Sequence, residues 1–256
     1  MIFENTIARA ALLVMLLGAP LVIITACANE NTYTDPELGI SDPYENINRT
    51  TLDVNEAVDK AVLEPIARGY RKATPKAVRT VTSNFLRNLN SPVEIGNQML
   101  QGDIEGVGNA TARMVINTLA GFGGILDLAE QGGIEHEPED FGQTLATWGV
   151  GNGPYLMLPL FGPSTVRDAT GKMVDSYADP LRIYLFNIDE EHLHYTRVGV
   201  SVISRREELI DVISDLRKNS FDYYAAVRSA YYQHRQALIQ DQAEGEAAEI
   251  PEYDDF

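Results

Sequence analysis

An all-α fold built around a single helical domain is predicted by three observations. Helix starts and stops recur along the chain, apolar residues return at helical spacing behind them, and alternation bounded by hairpin dipeptides is almost absent. The 256 residues are enough for one sizeable core or two small domains, and no repeat of fixed period is present.

At the N-terminus, residues 10–26 carry no charged side chain, follow Arg9 and end in small residues. This pattern fits a secretory signal peptide, and Gly18 and Pro20 interrupt it too much for a stable spanning helix. The segment ends Ile24-Thr25-Ala26-Cys27, with the chain's single cysteine. It resembles a bacterial lipoprotein lipobox, which makes Cys27 the lipidation site and residues 1–26 the part removed. Acyl chains buried at about 0.8 kcal/mol per methylene would anchor such a protein without a spanning helix. Ala28 follows the cysteine in place of the aspartate that would hint at inner-membrane retention.

Charge is distributed unevenly. The net charge of −17 argues against binding nucleic acid through phosphate neutralisation, and one cysteine excludes internal disulfides and cysteine-based metal sites. Five acids and no base lie between Glu30 and Glu45, and seven acids and no base follow from Asp241. Residues 27–41 therefore read as a flexible lipidated tether and 241–256 as a disordered acidic tail. Residues 47–240 hold 24 acids against 19 bases and are close to balanced. The helical domain is placed at 42–240.

Within it, Thr74-Pro75 reads as a helix start, followed by Val78, Val81, Phe85 and Leu89. Ser91-Pro92-Val93-Glu94 reads as a second start with a capping box, closed by Gly102. Asp103 caps a third helix to about Ala120, carrying Val107, Met114, Val115 and Leu119. Later, 190–218 and 221–240 read as long amphipathic helices, the first with Val198, Val202, Ile203, Leu209, Ile213 and Leu216, the second with Tyr224, Tyr231 and Leu238.

Between them, residues 141–166 hold no charged side chain, yet five glycines and three prolines forbid one continuous helix. A helix ending at Gly149, a turn, and an irregular apolar piece Tyr155–Phe161 fit better. Another uncharged stretch, 114–126 apart from its flanks, ends in Gly121-Phe122-Gly123-Gly124. Such glycine-broken apolar segments suit either a hairpin dipping into an apolar medium or a buried core hairpin.

A search for chemistry finds no nucleophile with a base and an orienting group, and the chain is expected not to be an enzyme. Gly162-Pro163-Ser164-Thr165-Val166 lacks the second glycine of a nucleophile elbow, so Ser164 reads as a helix N-cap. His192 and His194 point to different sides of a helix and read as surface histidines. His136-Glu137-Pro138-Glu139-Asp140 reads as a solvated loop with an acid-rich helix start rather than a cation site. Arg167, Asp168 and Asp175 form either a buried ion pair or an exposed helix start. No cofactor or metal is expected. The glycine-rich run from Gly149 to Gly153 follows a helix and lacks the Lys-Ser or Lys-Thr of a phosphate cradle.

Several segments together resemble the MlaA (VacJ) family of outer-membrane lipoproteins. They are Asp42-Pro43-Tyr44-Glu45-Asn46-Ile47-Asn48-Arg49, Pro65 to Arg71, Asn84-Phe85, Leu100-Gln101-Gly102-Asp103 and Asn117-Thr118 with Gly121-Phe122-Gly123-Gly124 and Asp127. The strongest are Phe141-Gly142-Gln143-Thr144-Leu145, Trp148 through Tyr155, and Gly162 through Asp168. The match spans about 42–240.

The resemblance implies a ring-like helical protein with an apolar, glycine-broken helical hairpin, lying on the periplasmic side of the outer membrane and held there by lipidated Cys27. Its implied partners are phospholipid, the outer membrane, a trimeric porin and a soluble periplasmic lipid carrier. Its implied role is to remove mislocalised phospholipids from the outer leaflet through an amphipathic channel and pass them to the carrier, maintaining lipid asymmetry. The alternative is a porin-associated structural lipoprotein without transport activity. Gly149 and Gly151 match the family's hairpin hinge, and bulky β-branched residues there are expected to stiffen it. Phe122, Trp148, Tyr155, Leu156, Leu158 and Phe161 are the candidates for lipid-path or membrane contact.

Overall fold

In the computed structural model, which describes residues 33–35 and 40–240, β1 (Tyr33–Asp35) runs antiparallel to β2 (Ile40–Asp42). Helix α1 (Glu45–Val58) passes through one π-helical stretch, Asp59–Leu63, into α2 (Glu64–Ala73). Next come α3 (Lys76–Gln101), α4 (Ile104–Leu119), α5 (Leu128–Gln131) and α6 (Phe141–Thr147). A hairpin of β3 (Tyr155–Leu158) and β4 (Gly162–Thr165) leads into α7 (Val166–Ala178) and α8 (Pro180–Asn187). The last elements are α9 (Glu191–Glu208), α10 (Ile210–Asn219) and α11 (Tyr223–Ile239). The single helical domain expected from sequence is thus present, and no described helix is long and apolar enough to cross a membrane.

The signal peptide, Cys27 and the acidic tail lie outside the described residues. Within the expected tether, β1 pairs with β2 and Ile40 is fully buried, so the folded body begins ahead of Asp42.

Helix ends follow local chemistry. Gly102 ends α3 in the left-handed region, and the Asp103 carboxylate accepts from the Gly106 amide at 2.9 Å to start α4. Elsewhere the structure corrects the sequence reading. Pro92 lies inside one continuous α3 instead of starting a second helix. A proline there removes a single ladder bond, and the turn before it is held from outside by Asn88, which donates to Thr118 Oγ1 at 3.0 Å. Thr165, not Ser164, caps α7, accepting from the Asp168 amide at 3.2 Å, while Ser164 is buried in β4. The expected 190–218 helix divides at Leu209, where α10 turns so that Arg206 and Arg217 both reach Asp59.

The largest correction is the hairpin. Tyr155–Leu158 is neither irregular nor part of a helical hairpin but a strand, in register Tyr155 with Thr165 and Leu158 with Gly162. An isolated two-stranded ribbon is marginal; here α1 holds its open edge. Asn48 accepts from the Met157 amide at 2.8 Å and donates to the Tyr155 carbonyl at 3.1 Å. Asn55, two turns on, accepts from the Leu160 amide at 2.8 Å and donates to the Leu158 carbonyl at 2.9 Å. The two side-chain amides thereby take the place of a third strand. Inside the ribbon, Tyr155 meets Tyr224, Tyr231 and Tyr232 at 6.0–6.1 Å between ring centroids, with Ile40, Leu52 and Met157 completing the core.

The packed neighbours close a circuit. Helix α1 lies on β3, β4 on α7, α7 on α6, α6 on α3, α3 on α9 and α9 on α2, which rejoins α1 through the π-helical stretch. Within that circuit α6 and α7 cross at two glycines, Gly142 and Gly171. A Cβ at Gly171 would stand 2.3 Å from the Gly142 amide nitrogen, so neither helix accepts a side chain at the crossing.

Candidate functional site

In α3, α4 and α9 the residues recur at helical spacing, but the polarity of the buried and exposed faces is inverted. The buried residues of α4 are Gly106, Ala110, Arg113 and Asn117, whereas Ile104, Val115 and Leu119 are exposed. In α3 the buried residues are Ser91, Glu94, Asn97 and Gln98, with Val78, Phe85, Met99 and Leu100 outside. In α9, His194, Ser204, Arg206 and Glu207 are buried while Leu193, Val198, Val200 and Val202 are exposed. Among the described residues, more polar and charged side chains are buried than apolar ones. Water drives the opposite arrangement, so exposed apolar faces on this scale mark contact with an apolar medium or partner.

The polar interior is internally matched. Asp42 accepts from Asn48 at 2.9 Å, Tyr224 at 2.5 Å and Arg228 at 2.6 Å. Asp168 is bonded by Arg167 at 3.0 Å, by Arg235 at 3.2 Å and by the Tyr231 hydroxyl. Burial alone would raise Asp168, yet Arg235, Tyr231 and Arg167 hold it below the usual carboxylate range. Asp59 behaves likewise: burial opposes its ionisation, but bonds from Arg206 and Arg217 at 2.6 and 3.0 Å prevail. Arg167 and Asp168 therefore form the buried pair, not an exposed helix start. Asp175, raised by burial, accepts from Asn97 and the Phe141 amide at 2.9 and 2.8 Å.

Two readings of polar clusters are overturned. His194 is buried against Phe186 and Tyr195 rather than on the surface, although His192 is exposed. The 136–140 segment is not a solvated loop: His136 lies 3.3 Å from Glu94, Glu139 accepts from Gln101 at 2.6 Å, and Asp140 caps α6 while pairing with Arg235 at 2.5 Å. The acids that made it look solvated are spent on cationic and amide partners from other helices.

Of the candidates for apolar contact, Phe122 and Phe161 protrude at 75% and 78% exposure. Phe122 has φ +55°, an uncommon conformation for a bulky residue, and its loop is fixed below by Asn117 and Arg113, which bond to Asp127 at 2.8 and 2.7 Å. Leu119, Ile125 and Leu126 are exposed around it, making an apolar tip. Phe161 shares a second tip with Leu160 at the hairpin turn. Trp148 is exposed on one side, with its indole N–H donating to the Leu100 carbonyl at 3.0 Å and its ring edge-on to Phe141 at 5.7 Å. Leu158 is half-buried. Tyr155 and Leu156 are buried instead, because the ribbon turns this part of β3 into the core.

The hinge candidates separate as well. Gly149 sits at φ +85°, which disfavours any side chain. Gly151 is not in the left-handed region and has open space around it. The second backbone demand falls on Gly153, at φ +66° with Val166 3.2 Å from where its Cβ would be.

Sequence reasoning missed a cavity of about 410 Å³ between α3 and α9. Leu86 from α3 and Val198 and Val202 from α9 line it with apolar groups, beside Arg87, Arg197, Arg205, Glu94, Glu208 and several hydroxyl and amide groups. Val198 and Val202, four residues apart, belong to the apolar stripe of the expected amphipathic helix, which by itself does not reveal a cavity.

The chain as a whole has known relatives. The MlaA lipoprotein family model matches residues 40–238. The intermembrane phospholipid transport system lipoprotein MlaA of Escherichia coli K12 is 35% identical over 216 residues, covering 82% of both chains. The protein of the same name from Haemophilus influenzae is 30% identical over 225 residues, 86% of this chain and 87% of that one. An uncharacterized Rickettsia felis protein is 35% identical over 204 residues, 79% of this chain and 80% of that one. A solved structure described as "Structural basis for maintenance of bacterial outer membrane lipid asymmetry" is similar with a TM-score of 0.68 and 36% identity, covering 78% of this chain and 99% of its own. The chain belongs to the MlaA lipoprotein family.

Proposed function

We propose that this protein is an outer-membrane lipoprotein, anchored through Cys27 on the periplasmic side, that removes mislocalised phospholipids from the outer leaflet and passes them to a soluble periplasmic carrier. The observation that carries the reading is the inverted polarity of α3, α4 and α9. A helical body that turns apolar faces outward, with no helix among its described residues long and apolar enough to cross a membrane, suits partial immersion in a leaflet, where acyl chains cover those faces and the polar groups pair inside. The α3–α9 cavity, to which both helices bring apolar and charged side chains, suits a molecule that has both an acyl and a phosphate part. The names of the Escherichia coli and Haemophilus influenzae relatives support phospholipid as cargo.

The closed circuit of packed helices supports the ring-like form, and a trimeric porin remains the proposed partner at the outer apolar faces. No catalytic group is required, since the work is binding and release. Deleting the gene should raise surface-exposed phospholipid, and chemical labelling of intact cells measures it. Unchanged labelling with altered porin assembly would favour the structural-lipoprotein alternative.

A further inference from the structure

The charged groups around the α3–α9 cavity are matched with one exception. Arg197 pairs with Asp179, and Arg205 lies 3.6 Å from Glu208, which also accepts from Ser83 at 2.7 Å. Glu94 accepts from Asn90 at 3.1 Å and contacts His136 at 3.3 Å. Arg87 lines the same cavity, is half-buried, and makes no ion pair or side-chain hydrogen bond among the described residues. A guanidinium without a protein counter-charge is open to an anion from outside the chain. Its planar fork matches a phosphodiester, which carries one negative charge. Leu86, adjacent in sequence, and Val198 and Val202 across the cavity offer apolar contact beside that charge.

Resting on the lipid-transfer reading above, we propose that Arg87 is the phosphate-binding residue of a glycerophospholipid site in this cavity, with Leu86, Val198 and Val202 contacting the glycerol and first acyl carbons. The site then selects its cargo by the phosphate common to phospholipids, and excludes diacylglycerol.

The test uses the full-length, detergent-extracted protein with three probes: dihexanoylphosphatidylglycerol, dihexanoylglycerol, and inorganic phosphate as competitor. Wild type should bind the phospholipid about tenfold or more tightly than the phosphate-free lipid, the scale of one charge-assisted hydrogen bond. Arg87→Gln should abolish that preference and Arg87→Lys restore part of it, while dihexanoylglycerol binding is unchanged in both. Retained discrimination in Arg87→Gln overturns the assignment and leaves lipid transfer intact. Binding of neither lipid by wild type overturns lipid transfer too. Full displacement by inorganic phosphate would make this a free-anion site. The melting temperature of Arg87→Gln should match wild type; a drop of many degrees would mean that Arg87 serves a protein carboxylate, and would also overturn the proposal.

Discussion

If the outward apolar faces lie in lipid, replacing Leu119 and Phe122 with serine should weaken membrane binding without weakening the fold. The two side chains are 80% and 75% exposed. Full burial of such a side chain contributes about 1.5–3 kcal/mol, so immersing four-fifths of each is worth about 1.6 kcal/mol taken at 2 kcal/mol apiece. The pair then contributes about 3 kcal/mol, on the order of a hundredfold in the partition coefficient. The anchor must be removed first, because acyl chains would hide the effect; a Cys27→Ser background serves. Flotation with phosphatidylethanolamine–phosphatidylglycerol vesicles reads the partition directly. The melting temperature of the double variant should stay within a few degrees of its parent's, since both side chains stand outside the core. Equal flotation of the Leu119/Phe122 variant and its parent would refute immersion at this tip.

The remaining expectations concern backbone, interior and pH. Gly149→Val places a β-branched residue at φ +85° and should cost about 1–3 kcal/mol and raise surface phospholipid labelling, whereas Gly151→Val, in open space, should leave the melting temperature near wild type. Asp168→Asn leaves Arg167 and Arg235 buried beside a neutral amide; a loss of about 3–5 kcal/mol should appear in thermal or denaturant unfolding. Acid should destabilise the fold. Asp59 and Asp168 are held below, and Asp222, through its Arg49 bonds, is lowered to about 2. Their contribution is present above the unfolded carboxylate pKa and is lost as pH falls through the depressed folded values. Asp175, raised by burial, opposes the trend. Melting temperature measured from pH 7 down to 2.5 should therefore decline mainly below about pH 4.

Helix positions were legible because caps and periodicity are local. Gly102 and Asp103 end and start their helices as the sequence reading has them, and the α6 termination near Gly149 follows from its glycine. The direction of the stripes was not legible. Val115 and Leu119 at helical spacing specify one face of α4, but periodicity does not say whether water or lipid lies beyond it. The hairpin was hidden for a different reason: what makes Tyr155–Leu158 a strand is Asn48 and Asn55, more than 100 residues earlier. Pro92 misled because one missing ladder bond is tolerated when neighbouring helices hold the turn. The cavity was invisible since Arg87 and Arg205 look like ordinary helix-surface arginines until α3 and α9 are brought together.

Inverted polarity also changes what stabilises the fold. An aqueous helical domain relies on burying apolar side chains; here the buried apolar cluster is small and centred on Tyr155, while carboxylate–guanidinium groups join the circuit at several separate places. Asp59 ties α9 and α10 to the π-helical stretch, and Glu207 ties α9 to Arg71 of α2 at 2.6 Å. Asp42 and Asp168 tie α11 to β2 and α7. In water such pairs contribute little net stability because desolvation offsets attraction. If acyl chains cover the outer faces, as proposed, fewer waters compete for these groups and each pair strengthens. The consequence is that melting temperature should rise when vesicles or detergent are present, and the rise should shrink in Asp168→Asn more than in the Leu119/Phe122 double variant at saturating detergent. If the rise is instead set only by Leu119 and Phe122, the interior pairs are insensitive to the surrounding medium and stability resides in the apolar surface alone.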